Sequence, residues 1–393
     1  MSYLWRFNFP FETILSALVE NSIQAEARNI GIFFKEEKEG NKTSISEILI
    51  YDDGNGISNI EQFFPHYNPK FHFSEFIGHI GINGTFGISK HISVFTNNDS
   101  SETINCVDLD FDKQNDDRLK PDYRILTSEE LNEEVGNPLE TFNLSQKTGT
   151  LIRLRKLNDL KFKLGKTFVK HLNKELGEKL RHLIHNEQLN IFGGVVKQIK
   201  NQPTEINSSL VYPLDFLLTN TNQLDDKFFN NSFFTPYKLK SESMNHSFVV
   251  AGTKETIQIK ASHIRKEHYN ELITLNENEQ NNLKRLIGSN FKTGGNISFL
   301  NERQELTQGR FGFYSPLKNY NRYWRLEVII SHKIHQELFY SSQIDFRFRR
   351  IEEEEREYSN EIKIWLSDTI AACIKEMHNA LCTFIPTEPK EFT

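Results

Sequence analysis

The segment Tyr51-Asp52-Asp53-Gly54-Asn55-Gly56-Ile57 follows the apolar run Ile48-Leu49-Ile50, and its residue types can do two jobs at once. A carboxylate at a strand end, here Asp52, accepts a hydrogen bond from an exocyclic amine. Gly54 and Gly56 have no Cβ, so their backbone can pass close to a flat ring. Asp-Gly turns occur in every class of protein, and the segment needs company before it counts as a site. That company stands in order along the chain. Ile14, Leu15, Leu18, Val19 and Ile23 recur at helical spacing around Glu20 and Asn21. Gly78, Gly81, Gly84 and Gly87, with Thr85 among them, make a glycine ladder, and Thr148-Gly149-Thr150 is a turn entering the strand Leu151-Ile152-Arg153-Leu154. An amine acceptor, a close backbone and a glycine-rich anion segment together describe a nucleotide site.

This order of four elements resembles the GHKL superfamily of ATP-binding proteins: gyrase B, the heat-shock chaperones, sensor histidine kinases, MutL and the MORC proteins. The likeness runs from the start of the chain to about Val195. It implies an α+β fold, a Bergerat-type ATP-binding α/β sandwich, with ATP and Mg2+ as cofactors. By that resemblance Asn21 would be the magnesium ligand and Asp52 would hold the adenine amino group, with Gly54 and Gly56 beside it. Gly78, Gly81, Gly84, Thr85 and Gly87 would wrap the phosphates, and Thr150 would help hold the adenine end next to Asp52. A hard cation takes oxygen ligands and keeps several waters, so one amide oxygen plus phosphates is a reasonable shell.

The departure from the family matters as much as the match. Members that hydrolyse ATP commonly carry Glu four residues before the Asn, one helical turn back, where it takes the proton of the attacking water. Here that position is Ala17, which has no acceptor. Glu20 is the nearest carboxylate, but it lies about a hundred degrees around the helix from Asn21. Two readings follow. In one, the protein is a nucleotide-gated conformational switch acting through a homodimer or a protein partner, with hydrolysis slow or absent. In the other, it is an active ATPase, chaperone-like or MORC-like, using Glu20 as a displaced base.

Composition narrows the classes. A net charge of −6 does not favour nucleic acid, since neutralising phosphates usually leaves a basic footprint. Arg153 to Lys156, Lys161 to Lys170, and Phe346-Arg347-Phe348-Arg349-Arg350 are local exceptions; in the last, the arginines can instead meet Glu352 to Glu355. No apolar run reaches membrane-span length, and the start lacks the build of a signal peptide. Cys106, Cys373 and Cys382 are spaced for neither zinc nor a disulfide framework, and the expected compartment is the cytoplasm. His66, His72 and His79 match no zinc spacing.

The elements that must position these residues are expected as follows. Residues 1 to 200 form the ATP-binding domain: a helix over 11 to 28, strands over 30 to 34 and 46 to 51, and an irregular lid over 58 to 80. A helix should start after Thr85 and run to His91, before a strand from Ile92 to Thr96. A half-exposed strand follows near Asp108 and Asp110, then a helix over 168 to 186 and a strand over 189 to 196. Residues 201 to 350 are expected as a second, transducer-like α+β domain, with a hairpin turning at Thr253-Lys254-Glu255 and a helix over 276 to 287. The resemblance asks such a domain for a γ-phosphate lysine, but Ser341-Ser342-Gln343 stands at that place, leaving Lys333, Arg303 or Arg347 as substitutes. Residues 351 to 393 are a C-terminal helix and tail, with the helix packed on its own domain.

Overall fold

The computed structural model describes residues 11–39, 42–62, 80–99, 102–113, 121–135, 148–158, 160, 164–186, 188–197, 205–213, 216–217, 234–239, 245–250, 252–272, 274, 276, 297–301, 305–309, 323–331, 333–335 and 359–385. The chain divides into two compact units, residues 1–177 with 183–213, and residues 178–182 with 214–393.

In the first unit, helix α1 (Phe11–Gln24) buries Ile14, Leu15, Leu18 and Val19, the stripe that its spacing sets. It stops four residues short of the expected end. Glu26 turns left-handed at a φ of 63°, and Ala27 N donates to Ser22 O at 3.0 Å, which closes the last carbonyls and releases the chain into a strand. Strands β1 (Asn29–Glu39) and β2 (Lys42–Asp52) form a hairpin that outruns its apolar runs, because charged residues pair across it: Lys35 and Glu47 lie 3.5 Å apart.

Strands β3 (Ser89–Asn97), β4 (Thr103–Asp110), β5 (Asp122–Thr127), β6 (Gly149–Leu157), β7 (Asn190–Lys197) and β8 (Glu205–Leu210) complete the sheet. Its order is β5-β4-β3-β6-β2-β1-β7-β8. Only the pairing of β1 with β7 is parallel; the other neighbours run antiparallel. Phe34 faces the helical side, stacked on Phe168 at 5.0 Å, and Phe168 meets Phe11 of α1 edge-on at 4.8 Å. Helix α2 (Ile80–Ile88) packs on α1. The helix expected to begin after Thr85 therefore begins at Ile80 and ends three residues earlier, and β3 takes up Ser89 to His91. Three glycines inside nine residues disfavour a helix, and packing overrides that preference.

A short helix α3 (Ser128–Glu134) carries a capping box between Thr127 and Glu130. The expected helix over 168 to 186 divides into α4 (Gly165–Lys179) and α5 (Arg181–His185). Glu36 of β1 accepts from Gly165 N at 2.7 Å, capping α4 from across the sheet.

The sheet's other face is apolar at one end, through Phe33, Leu49, Tyr51, Phe95 and Leu151, and ionic at the other. Arg153 clasps Glu47 with two hydrogen bonds of 2.8 Å. Arg124 donates to Asp108 and Glu134, and Lys156 holds Asp110 and Asp112. Burial opposes the charge on Asp108, yet hydrogen bonds from His91, Ser93 and Arg124 hold its carboxyl below the usual range. The basic run Arg153 to Lys156 is thus engaged within the sheet at Arg153 and Lys156, while Arg155 meets His91 and Ser93.

The second unit has its own sheet, with strands β9 (Phe234–Tyr237), β10 (Asn245–Val250), β11 (Thr253–Ile264), β12 (Ile297–Leu300), β13 (Glu305–Gly309) and β14 (Trp324–Ile329). The order is β10-β11-β14-β12-β13, with β9 also on β11. The hairpin turns at Gly252, whose φ is +77°, rather than at Thr253 to Glu255. Helix α6 (Lys266–Leu272) follows β11. Helix α7 (Ser359–Leu381) buries Ile362, Leu366, Ile370, Cys373, Ile374 and Met377 in one core with Ile259, Phe299, Leu326 and Val328, so it packs on its own unit as its stripe predicts. The expected helix over 276 to 287 lies outside the described residues except for Asn276, and so do Glu352 to Glu357. No helix among the described residues is long and apolar enough to cross a membrane.

Candidate functional site

Asp52 ends β2 on the face turned toward α1, and it is 7 % exposed. Its carboxylate is already well supplied with donors. Ser22 Oγ of α1 donates to Oδ2 at 2.9 Å, and Gly54 N donates to Oδ1 at 3.0 Å. Thr150, its partner in the β2–β6 register, donates a backbone N–H as well. Burial outweighs these donors and pushes the Asp52 carboxyl up to about 6. A carboxylate has about four lone-pair directions, so three donors leave one for an incoming group.

The loop after Asp52 is built to stay close to its neighbours. Asp53 accepts from Arg28 N, Asn29 N and Asn29 Nδ2 at 2.8, 2.7 and 2.6 Å, pinning it to the turn that leaves α1. Asn55 N donates to Ala25 O at 2.8 Å. At Gly54 a Cβ would meet Ala25 O at 2.7 Å, and at Gly56, where φ is +69°, it would meet Asn97 O at 2.3 Å. Only glycine serves at either place. The two glycines therefore also allow the loop to seat against its own fold.

Three comparisons with known proteins bear on this unit. The family described as histidine kinase-, DNA gyrase B- and HSP90-like ATPase matches residues 9–138. The matched residues all lie in the first unit. Among solved structures, the N-terminal domain of a DNA repair protein aligns with 13 % identity and a TM-score of 0.43, over 95 % of this chain and 96 % of that one. The Aquifex aeolicus MutL ATPase domain complexed with ADP aligns with 10 % identity and a TM-score of 0.35, over 81 % and 90 %. No curated protein matches the chain.

Within the first unit and beyond it, the remaining sequence-derived residues fall into three groups. Asn21 lies one residue before Ser22 on α1 and is exposed, while Glu20 is half-buried. Ala17, one turn back, is 4 % exposed, so the position where the sequence resemblance expects a glutamate is a methyl inside the core. Gly81, Gly84, Thr85 and Gly87 lie within helix α2. A Cβ at Gly84 would come within 2.7 Å of Ile14 Cγ1, Thr85 is fully buried, and Gly87 O accepts from Asn158 Nδ2 at 2.8 Å. Gly78 lies outside the described residues, as do His66, His72, Arg303 and Arg347. Lys333 hydrogen-bonds Thr253 and lies 3.7 Å from Glu255. The sequence reading overlooked Ser22 and the role of Asp53. Ser22 does carry a signal, since a serine directly after the helix asparagine sits near the face that points at Asp52. Thr150 falls beyond the matched residues 9–138, and only strand register places it at Asp52.

Proposed function

We propose that the first unit binds ATP with Mg2+ and acts as a nucleotide-gated conformational switch, with hydrolysis slow or absent. The observation that carries this reading is Asp52: a buried carboxylate, fixed by Ser22, Gly54 and Thr150, with capacity for one more donor. The adenine amino group is that donor. Asn21 offers an exposed amide oxygen, a hard ligand of the kind magnesium takes together with phosphates and water. The donor chemistry fits the group, and Asn21 would hold the ion and orient the phosphate end. Ala17 supplies no general base, so a bound water keeps its proton. For ATP to drive a change of shape, it must bind the closed state more tightly than the open one. The closed state is then read by a second copy or another protein, in the cytoplasm.

Calorimetry with Mg-ATP, followed by phosphate release in the same samples, tests this. Binding with phosphate at background is expected. Turnover that Asn21→Ala and Glu20→Gln both abolish would replace the switch with an ATPase using Glu20. An absence of binding would remove the nucleotide reading altogether.

A further inference from the structure

We propose that Thr96 is a positioning residue for the base-binding end of this site, an inference that rests on the nucleotide reading above. Thr96 lies on β3 and is fully buried. Its hydroxyl makes two hydrogen bonds with opposite roles. It accepts from Ile57 N at 2.8 Å and donates to Gly149 O at 3.0 Å. Ile57 lies in the loop that follows Asp52, and Gly149 precedes Thr150. One oxygen therefore ties the two backbone segments that carry the base-recognising groups. Register reinforces the tie: Thr96 pairs with Thr150 across β3 and β6, and Thr150 pairs with Asp52 across β6 and β2. Next along β3, Asn97 O is the atom against which Gly56 seats.

A buried hydroxyl with both roles filled can be replaced by a methyl of the same shape, but the methyl strands an N–H and a carbonyl. Those two groups belong to Ile57 and Gly149. Losing the tie lets the Asp52 loop and the Thr150 turn drift independently. Base discrimination depends on their separation. Adenine presents an amino donor where guanine presents a carbonyl acceptor, and a fixed carboxylate accepts the first and repels the second. General loss of stability weakens all nucleotides alike, whereas loss of positioning weakens ATP and spares GTP.

The test is calorimetric titration of the full chain with Mg-ATP and Mg-GTP, for the parent, Thr96→Val and Thr96→Ser. Thr96→Val is expected to bind ATP about tenfold more weakly with the ATP-over-GTP preference reduced, and Thr96→Ser to restore both. If Thr96→Val does not fold, Thr96→Ala against Thr96→Ser makes the same comparison. Unchanged ATP affinity in the Val variant overturns the inference while leaving the site reading intact. An equal loss for ATP and GTP does so too, since it marks Thr96 as structural only. A parent that binds neither nucleotide overturns the site reading and this inference together.

Discussion

Asp52 shows how one residue can be set against its own fold. Burial at a strand end pushes its carboxyl up to about 6 from an unfolded value of about 3.9. The folded form therefore holds its proton more tightly. In the nucleotide-free protein, its contribution to stability is full below pH of about 4 and is lost as the pH rises through about 6. Nucleotide binding runs the other way, because the ionised form is the stronger acceptor for the adenine amine. ATP affinity should be flat above neutrality and fall as the pH drops through about 6, a trend visible in a binding series from pH 5 to 8. Asp52→Asn should weaken ATP by tenfold or more, since bonds to a charged acceptor are worth roughly 1.5–3 kcal/mol, and should flatten that pH dependence. Ser22, Gly54 and Asp53 were only partly legible beforehand. The Asp-Gly segment reads as a turn with Asp52 as acceptor, but that Asp53 is taken up by Arg28 N and Asn29 depends on the turn leaving α1.

At the scale of elements, α2 and α4 show where sequence reading reaches its limit. The amphipathic stripe of α1 and the alternation in β6 were legible because burial follows their periods directly. Gly81, Gly84 and Gly87 pointed to a backbone needing room. They occur inside a helix, and at Gly84 the room is taken by Ile14 of the neighbouring helix. Gly84→Ala should destabilise the unit by about 1–3 kcal/mol through overpacking, although alanine is the better helix former. Adding Ile14→Ala should relieve part of that cost, so the double variant should lose less than the sum of the singles in thermal melts. Additive losses would mean that Gly84 and Ile14 do not meet. The N-terminus of α4 is held from β1 by Glu36, a cap that no local motif announces because its two partners lie far apart in the chain.

For the whole molecule, the division into units crosses the sequence in a way that no linker marks. Residues 178–182 belong with the second unit, while the chain before and after them belongs with the first. Arg181 explains the assignment. Its guanidinium donates to Glu327 at 2.7 and 3.0 Å and to Ser298 at 3.0 Å, and both members of the ion pair are only 5 % exposed. Glu327→Leu should cost about 3–5 kcal/mol by leaving the Arg181 charge buried without its partner. The further change Arg181→Met should recover most of that loss in denaturant melts of the full chain. A Glu327→Leu variant as stable as the parent would show that the pair contributes nothing to the unit.

By itself the sequence determined the local elements whose period matches their burial, the acceptor-and-glycine segment at Asp52, and the alanine where the resemblance expects a glutamate. Each is written in a few neighbouring residues, so short-range chemistry suffices to read it. Only the tertiary structure decided which groups surround Asp52, that the glycine ladder continues into a helix packed on Ile14, and that Arg181 answers to Glu327. Gly54 aside, those outcomes depend on residues tens to more than a hundred positions apart. Spacing along the chain carries no record of which distant side chain will fill a given space or share a given proton.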